Sequence, residues 1–207
     1  MKRVIITLLV VTAVLTACNQ AEQKKQVNEH AAMEHGSSKP TNTMMQAMDV
    51  SMMAMHKAKM TGNADYDFAS MMIPHHEGAV VMAKAVVANG KSPELIAFSK
   101  KVIEAQQKEI KMLSEFLKTA SEEPTENAAQ FKKDLNASMV PMMKGMEKTT
   151  LTNNVDKDFV ALMIPHHQSA VDMAIAYLPY CNNDKIRAIA EQILSSQQEE
   201  IAWLKTQ

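Results

Sequence analysis

Apolar residues recur along most of this chain at intervals of three and four, the period of helices that bury one side. Leu95, Val102, Ile103, Ile110, Leu113 and Leu117 give such a side to a helix from about Pro93 to Lys118, with Pro93 suited to its first turn. Before it, a helix ending near Ala88 is expected, with Asp65 or Asp67 placed to cap its start. Asn89-Gly90 supplies the glycine stop common at helix C-termini. Later come a helix from about Val155 to Leu178, a turn through Pro179 to Asn183 and a helix from about Asp184 to Lys205. Two shorter amphipathic segments precede the long pairs. In residues 44–60, Met44, Met48, Met52 and Met55 share one face, with Met45, Met53 and His56 off or beside it. In residues 128–148 the matching residues are Met139, Met142, Met143 and Met146, and Pro141 either kinks that helix or sets its start. No stretch shows the two-residue alternation of strands. The expectation is all-α: a four-helix bundle of two long helical hairpins related by pseudo-twofold symmetry, with an added short Met-rich helix in each half.

The symmetry is read from an internal repeat. Met72-Ile73-Pro74-His75-His76 returns as Met163-Ile164-Pro165-His166-His167, 91 residues later. Without any gap, Asp67-Phe68 returns as Asp158-Phe159, Met82 as Met173, and Gln106, Glu109 and Leu113 as Gln197, Glu200 and Leu204. One supersecondary unit is used twice. The parts are a leader (1–17), a tether (18–43), a first repeat (44–120) and a second repeat (121–207), the two repeats forming one bundle domain.

The first residues do not read as fold. Lys2-Arg3, the apolar run Val4 to Leu15 and the box Leu15-Thr16-Ala17-Cys18 resemble a lipoprotein signal peptide, with an apolar run too short for an ordinary membrane span. Cys18 would then be the lipidated N-terminus, placing the protein outside the cytoplasm on a membrane, on the periplasmic side if there is an outer membrane. Residues 19–43 read as a polar tether, and His30, Met33 and His35 within it as plain linker. Cys181 is the remaining thiol, so no intrachain disulfide is expected, and it reads as packed or incidental. A net charge of −1 gives no basic surplus for nucleic acid.

Composition sharpens the chemistry. Nineteen methionines stand against five Phe, three Tyr and one Trp. Methionine fills cores flexibly, but its thioether is also a soft metal ligand. Met72, His75 and His76, at i, i+3 and i+4, fall on one side of a helix, as do Met163, His166 and His167. Adjacent histidines diverge by about 100°, so the two of a pair need not share an ion. Met82 lies roughly 10 Å along the axis from His75, and Met82 and Met173 are favoured as core. Glu109 and Glu200, with Gln106 and Gln197, are placed to orient imidazoles or to form a solvated helix face. Pro74 and Pro165 either kink their helices or start new ones. Imidazole with thioether suits copper, Cu(I) above Cu(II); a structural zinc site would usually add cysteine, and a di-iron bundle needs Glu-x-x-His where Met-x-x-His stands here. The further soft-donor candidates are Met52, Met55 and His56 in the first repeat and Met143 and Met146 in the second.

Met-Ile-Pro-His-His followed by Ala and Met, at Met72–Met82 and Met163–Met173, resembles domain-of-unknown-function family 305 over roughly residues 48–205. The resemblance implies a ferritin-like helical fold and copper handling outside the cytoplasm. His75, His76, His166 and His167 are the matching positions, with Met72, Met82, Met163 and Met173 beside them. Glu77 becomes Gln168 and His56 becomes Glu147, so the halves differ. The resulting expectation is a lipid-anchored protein that sequesters, buffers or transfers copper, contributing to copper tolerance and homeostasis. It would be no enzyme, and would have copper ions, the membrane and a copper-donor or acceptor protein as partners. The rivals are a metal-dependent redox enzyme in the same bundle and a helical partner-binding module without metal.

Overall fold

The computed structural model describes residues 42–207; the leader, Cys18 and all but the end of the tether, including His30, Met33 and His35, lie outside the described residues. Seven α-helices follow: α1 (Thr43–His56), α2 (Ala64–Asn89), α3 (Pro93–Leu117), α4 (Ala128–Ser138), α5 (Val140–Lys148), α6 (Val155–Tyr177) and α7 (Asp184–Leu204), with a 3-10 turn at Leu178–Tyr180. Among the described residues there is no strand. The two hairpins α2–α3 and α6–α7 are joined through α2 against α6, α1 lies on α2 and reaches α6, and α4 and α5 cover α6. Side chains close the remaining side, where Phe98 of α3 stacks on Trp203 of α7 with ring centroids 4.4 Å apart.

The helix starts are set by asparagine and serine, not by Asp65 or Asp67. Asn63 accepts from the Tyr66 amide at 3.1 Å, Asn154 from Lys157 at 3.1 Å, Ser92 from Leu95 at 3.2 Å and Asn183 from Lys185 at 3.0 Å. The aspartates stand two and four residues past the cap position, Asn63, and bond outward instead. Asp67 accepts from the Thr61 amide at 2.7 Å and its hydroxyl at 3.0 Å, and Asp158 does the same to Thr152 at 2.7 and 2.9 Å.

The expected glycine stop also takes another form. Gly90 is extended, at φ −68° and ψ 155°, not left-handed. A Cβ there would sit 2.6 Å from the Val86 carbonyl oxygen and 2.7 Å from Asp156 Oδ1, so glycine is required for close approach. That approach is one of two exchanged clasps. Asp156 accepts from the Lys91 and Ser92 amides at 2.9 and 3.0 Å, and its counterpart Asp65 accepts from the Asn182 amide at 3.1 Å and the Tyr177 hydroxyl at 2.5 Å. Each half thus grips the other's hairpin turn through a carboxylate. Burial, and then the bonds to Asp65 and Cys181, hold the Tyr177 hydroxyl far above its ordinary pKa, so it stays a donor. Cys181 is buried, its sulfur 2.9 Å from that hydroxyl, while its thiol donates to the Asn183 carbonyl at 3.3 Å.

Pro74 and Pro165 both lie inside unbroken helices, so neither starts a new one. Pro141, by contrast, stands at the start of α5 and divides the second Met-rich segment into two helices. The core falls into two clusters. One holds Phe68, Met72, Leu113, Ala170, Met173, Tyr177, Ile186 and Ile193; the other holds Phe159, Met163, Leu204, Ala79, Met82, Val86, Leu95 and Val102. The repeat offset converts one set into the other. Each cluster therefore joins the start of one half's first long helix to the end of the other's, so α2 and α6 run antiparallel with both His-His motifs at their crossing.

Gly90→Ala is expected to cost about 1–3 kcal/mol through overpacking, read as a lower urea midpoint at unchanged slope. Gly145→Ala, whose added carbon meets only the Pro165 ring at 3.1 Å, is expected to cost far less. Equal midpoints for the two variants would contradict the close approach at the Asp156 clasp.

Candidate metal centre

Antiparallel α2 and α6 bring the first histidine of each motif face to face. The rings of His75 and His166 lie with centroids 3.9 Å apart, tilted by 37°. The second histidines, turned about 100° further round each helix, face the next helix of their own half. The Nε2 of His76 lies 2.9 Å from Glu109 on α3, and that of His167 lies 3.0 Å from Glu200 on α7. Neighbouring centroids are 6.1 Å apart for His75–His76 and 6.2 Å for His166–His167. The result is a row across the bundle: Glu109, His76, His75, His166, His167, Glu200. It occupies the layer between the two apolar clusters.

All four imidazoles are at most 1% exposed. None of their eight ring nitrogens makes a directed hydrogen bond; the glutamates stand at ion-pair distance, off the direction a ring N–H would need. Gln106 and Gln197, one turn from the glutamates, are buried too, each with an unpartnered carbonyl oxygen. Burial, and then the charge of neighbouring imidazoles, holds His75 and His166 well below their ordinary pKa. They are neutral bases with free lone pairs. Leaving such a group unsatisfied costs about 1–3 kcal/mol, and native proteins rarely keep several together without a ligand or water to fill them.

The methionines divide into two groups. Met72, Met163, Met82 and Met173 are fully buried, and lie in the apolar clusters on either side of the row, Met72 with Met173 and Met163 with Met82. The long separation of Met82 from His75 on one helix is thus offset by the antiparallel neighbour, which returns Met82 to the cluster of Met163. The remaining candidates lie on α1 and α5. His56 is exposed at the end of α1, Met55 is in one cluster, Met52 and Met146 pack on the edge of the other, and Met143 is half-buried. The stripe on α1 is packing: Met44, Met48 and Met55 are at most 2% exposed. Among the described residues, no three His, Cys, Asp or Glu side chains converge as a ready-made cation cage. The donors form a line rather than a point.

Two contributors escape a motif reading. Ser51 of α1 donates to the Pro74 carbonyl at 2.7 Å, buried against the motif. Gly78, whose repeat counterpart is Ser169, lets α1 come close: a Cβ there would meet Ser51 Cβ at 2.7 Å and lie 3.4 Å from His166 Nε2. The one signal for either was a glycine inside a helix where the other repeat has a side chain.

In the unfolded chain His75 and His166 titrate near 6.5, and in the fold well below it. Below about pH 6.5 the unfolded state therefore binds more protons, and their contribution to stability, complete above that pH, is lost as pH falls. His75→Leu with His166→Leu is expected to flatten that acid limb and to raise metal-free stability at pH 7 by about 1–3 kcal/mol, the penalty of unsatisfied buried groups. Urea unfolding from pH 5 to 8 measures both; a large loss of stability at pH 7 would make the imidazoles structural.

Comparison with known proteins agrees with this duplicated architecture. The family model described as domain of unknown function DUF305 matches residues 10–117 and again residues 65–207, the second match alone covering well over half of the chain. No curated protein and no solved structure gives a significant match. On the strength of the paired family matches and the twice-used Met-Ile-Pro-His-His helix, the chain belongs to the DUF305 family.

Proposed function

We propose that this protein binds copper, as Cu(I) in preference to Cu(II), and buffers or passes it on outside the cytoplasm, with no covalent chemistry of its own. The observation that carries the proposal is the set of imidazole nitrogens, buried where the two repeats meet, that make no hydrogen bond. Such nitrogens are the commonest metal ligands. The donor set supports a soft ion with few ligands: His75 and His166 at the centre, His76 and His167 beside them, and the thioethers of Met72, Met163, Met82 and Met173 in the flanking clusters. It fits zinc poorly, because a structural zinc site takes four converging ligands, usually including cysteine. Glu109 and Glu200 at the outer imidazoles have the place of carboxylates that orient metal-binding histidines. Copper here is cargo, held by reversible ligand exchange.

The sequence before the described residues supports the location. The box Leu15-Thr16-Ala17-Cys18 matches a lipoprotein cleavage site, and a lipid on Cys18 would hold the bundle at a membrane surface. Among the described residues, no helix is long and apolar enough to cross a membrane.

Metal analysis of the protein beside a variant with His75, His76, His166 and His167 all changed to Ala tests the reading. Copper uptake is expected to fall at least tenfold in the variant while helical content persists. Equal uptake would move the site to the Met-rich helices or the tether. No uptake by either would favour a partner-binding module.

A further inference from the structure

The row of imidazoles is symmetric in its residues but not in its ends. Glu109 is sealed, its side chain 4% exposed, and its second oxygen lies within 3.4 Å of the Gln192 amide of α7, which donates to it. Glu200 is open, its side chain 23% exposed, while its partner His167 is completely buried. The repeat explains the difference. The residue equivalent to Gln192 is Lys101, which is exposed and supplies no such cover. One carboxylate therefore touches both solvent and an otherwise unpartnered buried imidazole.

We infer that, among the described residues, Glu200 and His167 form the mouth through which the cation enters and leaves, handing it along His167 to the central His75–His166 pair. The inference rests on the copper reading above and adds a direction to it. A carboxylate at the surface attracts a cation and loosens its water shell. The His167 ring, its Nε2 3.0 Å from that carboxylate, is the first nitrogen donor inside. The His166 ring follows at 6.2 Å and the His75 ring 3.9 Å beyond it. Each transfer exchanges one imidazole nitrogen for the next, with no change in the oxidation state of the ion. At the far end, Glu109 and Gln192 close the row.

Two other grooves among the described residues come near the row. One, of 1260 Å³, has Gln192 in its lining, and that amide stands between it and Glu109. The other, of 770 Å³ between α1 and α2, has Ser51, Pro74 and Gly78 among its lining residues, and His166 Nε2 lies just behind Gly78. Its lining holds one carboxylate, Glu77, together with the ammonium of Lys84 and the half-exposed Val50 and Val81, and Ser51, 4% exposed, is tied to the Pro74 carbonyl. The observations favour the Glu200 end because there a carboxylate that reaches solvent lies 3.0 Å from an imidazole nitrogen, whereas no lining residue of the groove is a histidine.

The test measures rates and not only occupancy. Cu(I) is presented to the full chain as a complex with a chromophoric chelator, under anaerobic conditions, and capture and release are followed by stopped flow. Glu200→Gln is expected to slow both about tenfold while the copper bound at equilibrium stays within twofold of wild type, and Glu200→Asp to recover most of the rate. Glu199→Gln, which removes the exposed carboxylate next to Glu200 in the chain, is expected to leave the rates within twofold. A merely orienting role would move both ends of the row alike, so slowing by Glu109→Gln equal to that by Glu200→Gln overturns the inference. Wild-type rates in Glu200→Gln, or slow capture in Val81→Trp, which plugs the groove between α1 and α2 instead, also overturn it while leaving the copper reading intact. Failure of the wild-type protein to bind Cu(I) overturns both.

Discussion

The structure depends on one constraint: four imidazoles are kept buried, side by side, at the plane where two copies of a helical hairpin meet. Apolar packing alone would not put them there. The two apolar clusters stand above and below that plane, and each is built from both halves, so the halves cannot separate without exposing two cores at once. The burial of Phe68, Tyr177, Phe159 and their neighbours thus offsets the cost of a polar layer whose imidazoles make no hydrogen bonds. Stability is drawn from the ends of α2 and α6, and the chemistry is placed at their middle.

The exchanged clasps set the register that this layout needs. Asp65 and Asp156 each hold backbone amides of the opposite hairpin turn. A shift of α2 along α6 by one turn would break both clasps and part His75 from His166. The clasps differ in detail. In one, glycine at position 90 makes room for the carboxylate; in the other, Cys181 stands at the glycine's position and the Tyr177 hydroxyl donates to the carboxylate. The halves keep the same helical plan and diverge where their surfaces meet solvent or an outer helix: Gly78 faces Ser51 where the other repeat has Ser169, and Glu109 has a cover that Glu200 lacks.

The abundance of methionine has two physical meanings in one molecule. On α1 the stripe Met44, Met48 and Met55 is buried packing, suited to covering a pair of helices with irregular surfaces because the side chain is long and unbranched. In α2 and α6, Met72, Met82, Met163 and Met173 are buried in the same two apolar clusters, on the helices that carry the imidazoles. The copper proposal draws on the second group because Met72 and Met163 stand one turn before the histidine pairs.

Much of this was legible in the chain itself. The period of apolar positions gave the helices to within a few residues, and the gapless repeat gave the two hairpins and their symmetry. The repeat also singled out His75, His76, His166 and His167, and the divergence of adjacent histidines correctly separated their partners, because side-chain direction on a helix is a local property. The caps went astray at Asp65 and Asp67 because an aspartate near a helix start can serve either its own helix or a distant loop, and spacing does not distinguish them. Which histidines touch, which methionines return to the row, and which glutamate is open were decided only by the antiparallel crossing of α2 and α6. That crossing brings together residues about 91 positions apart, and no local period carries information about it.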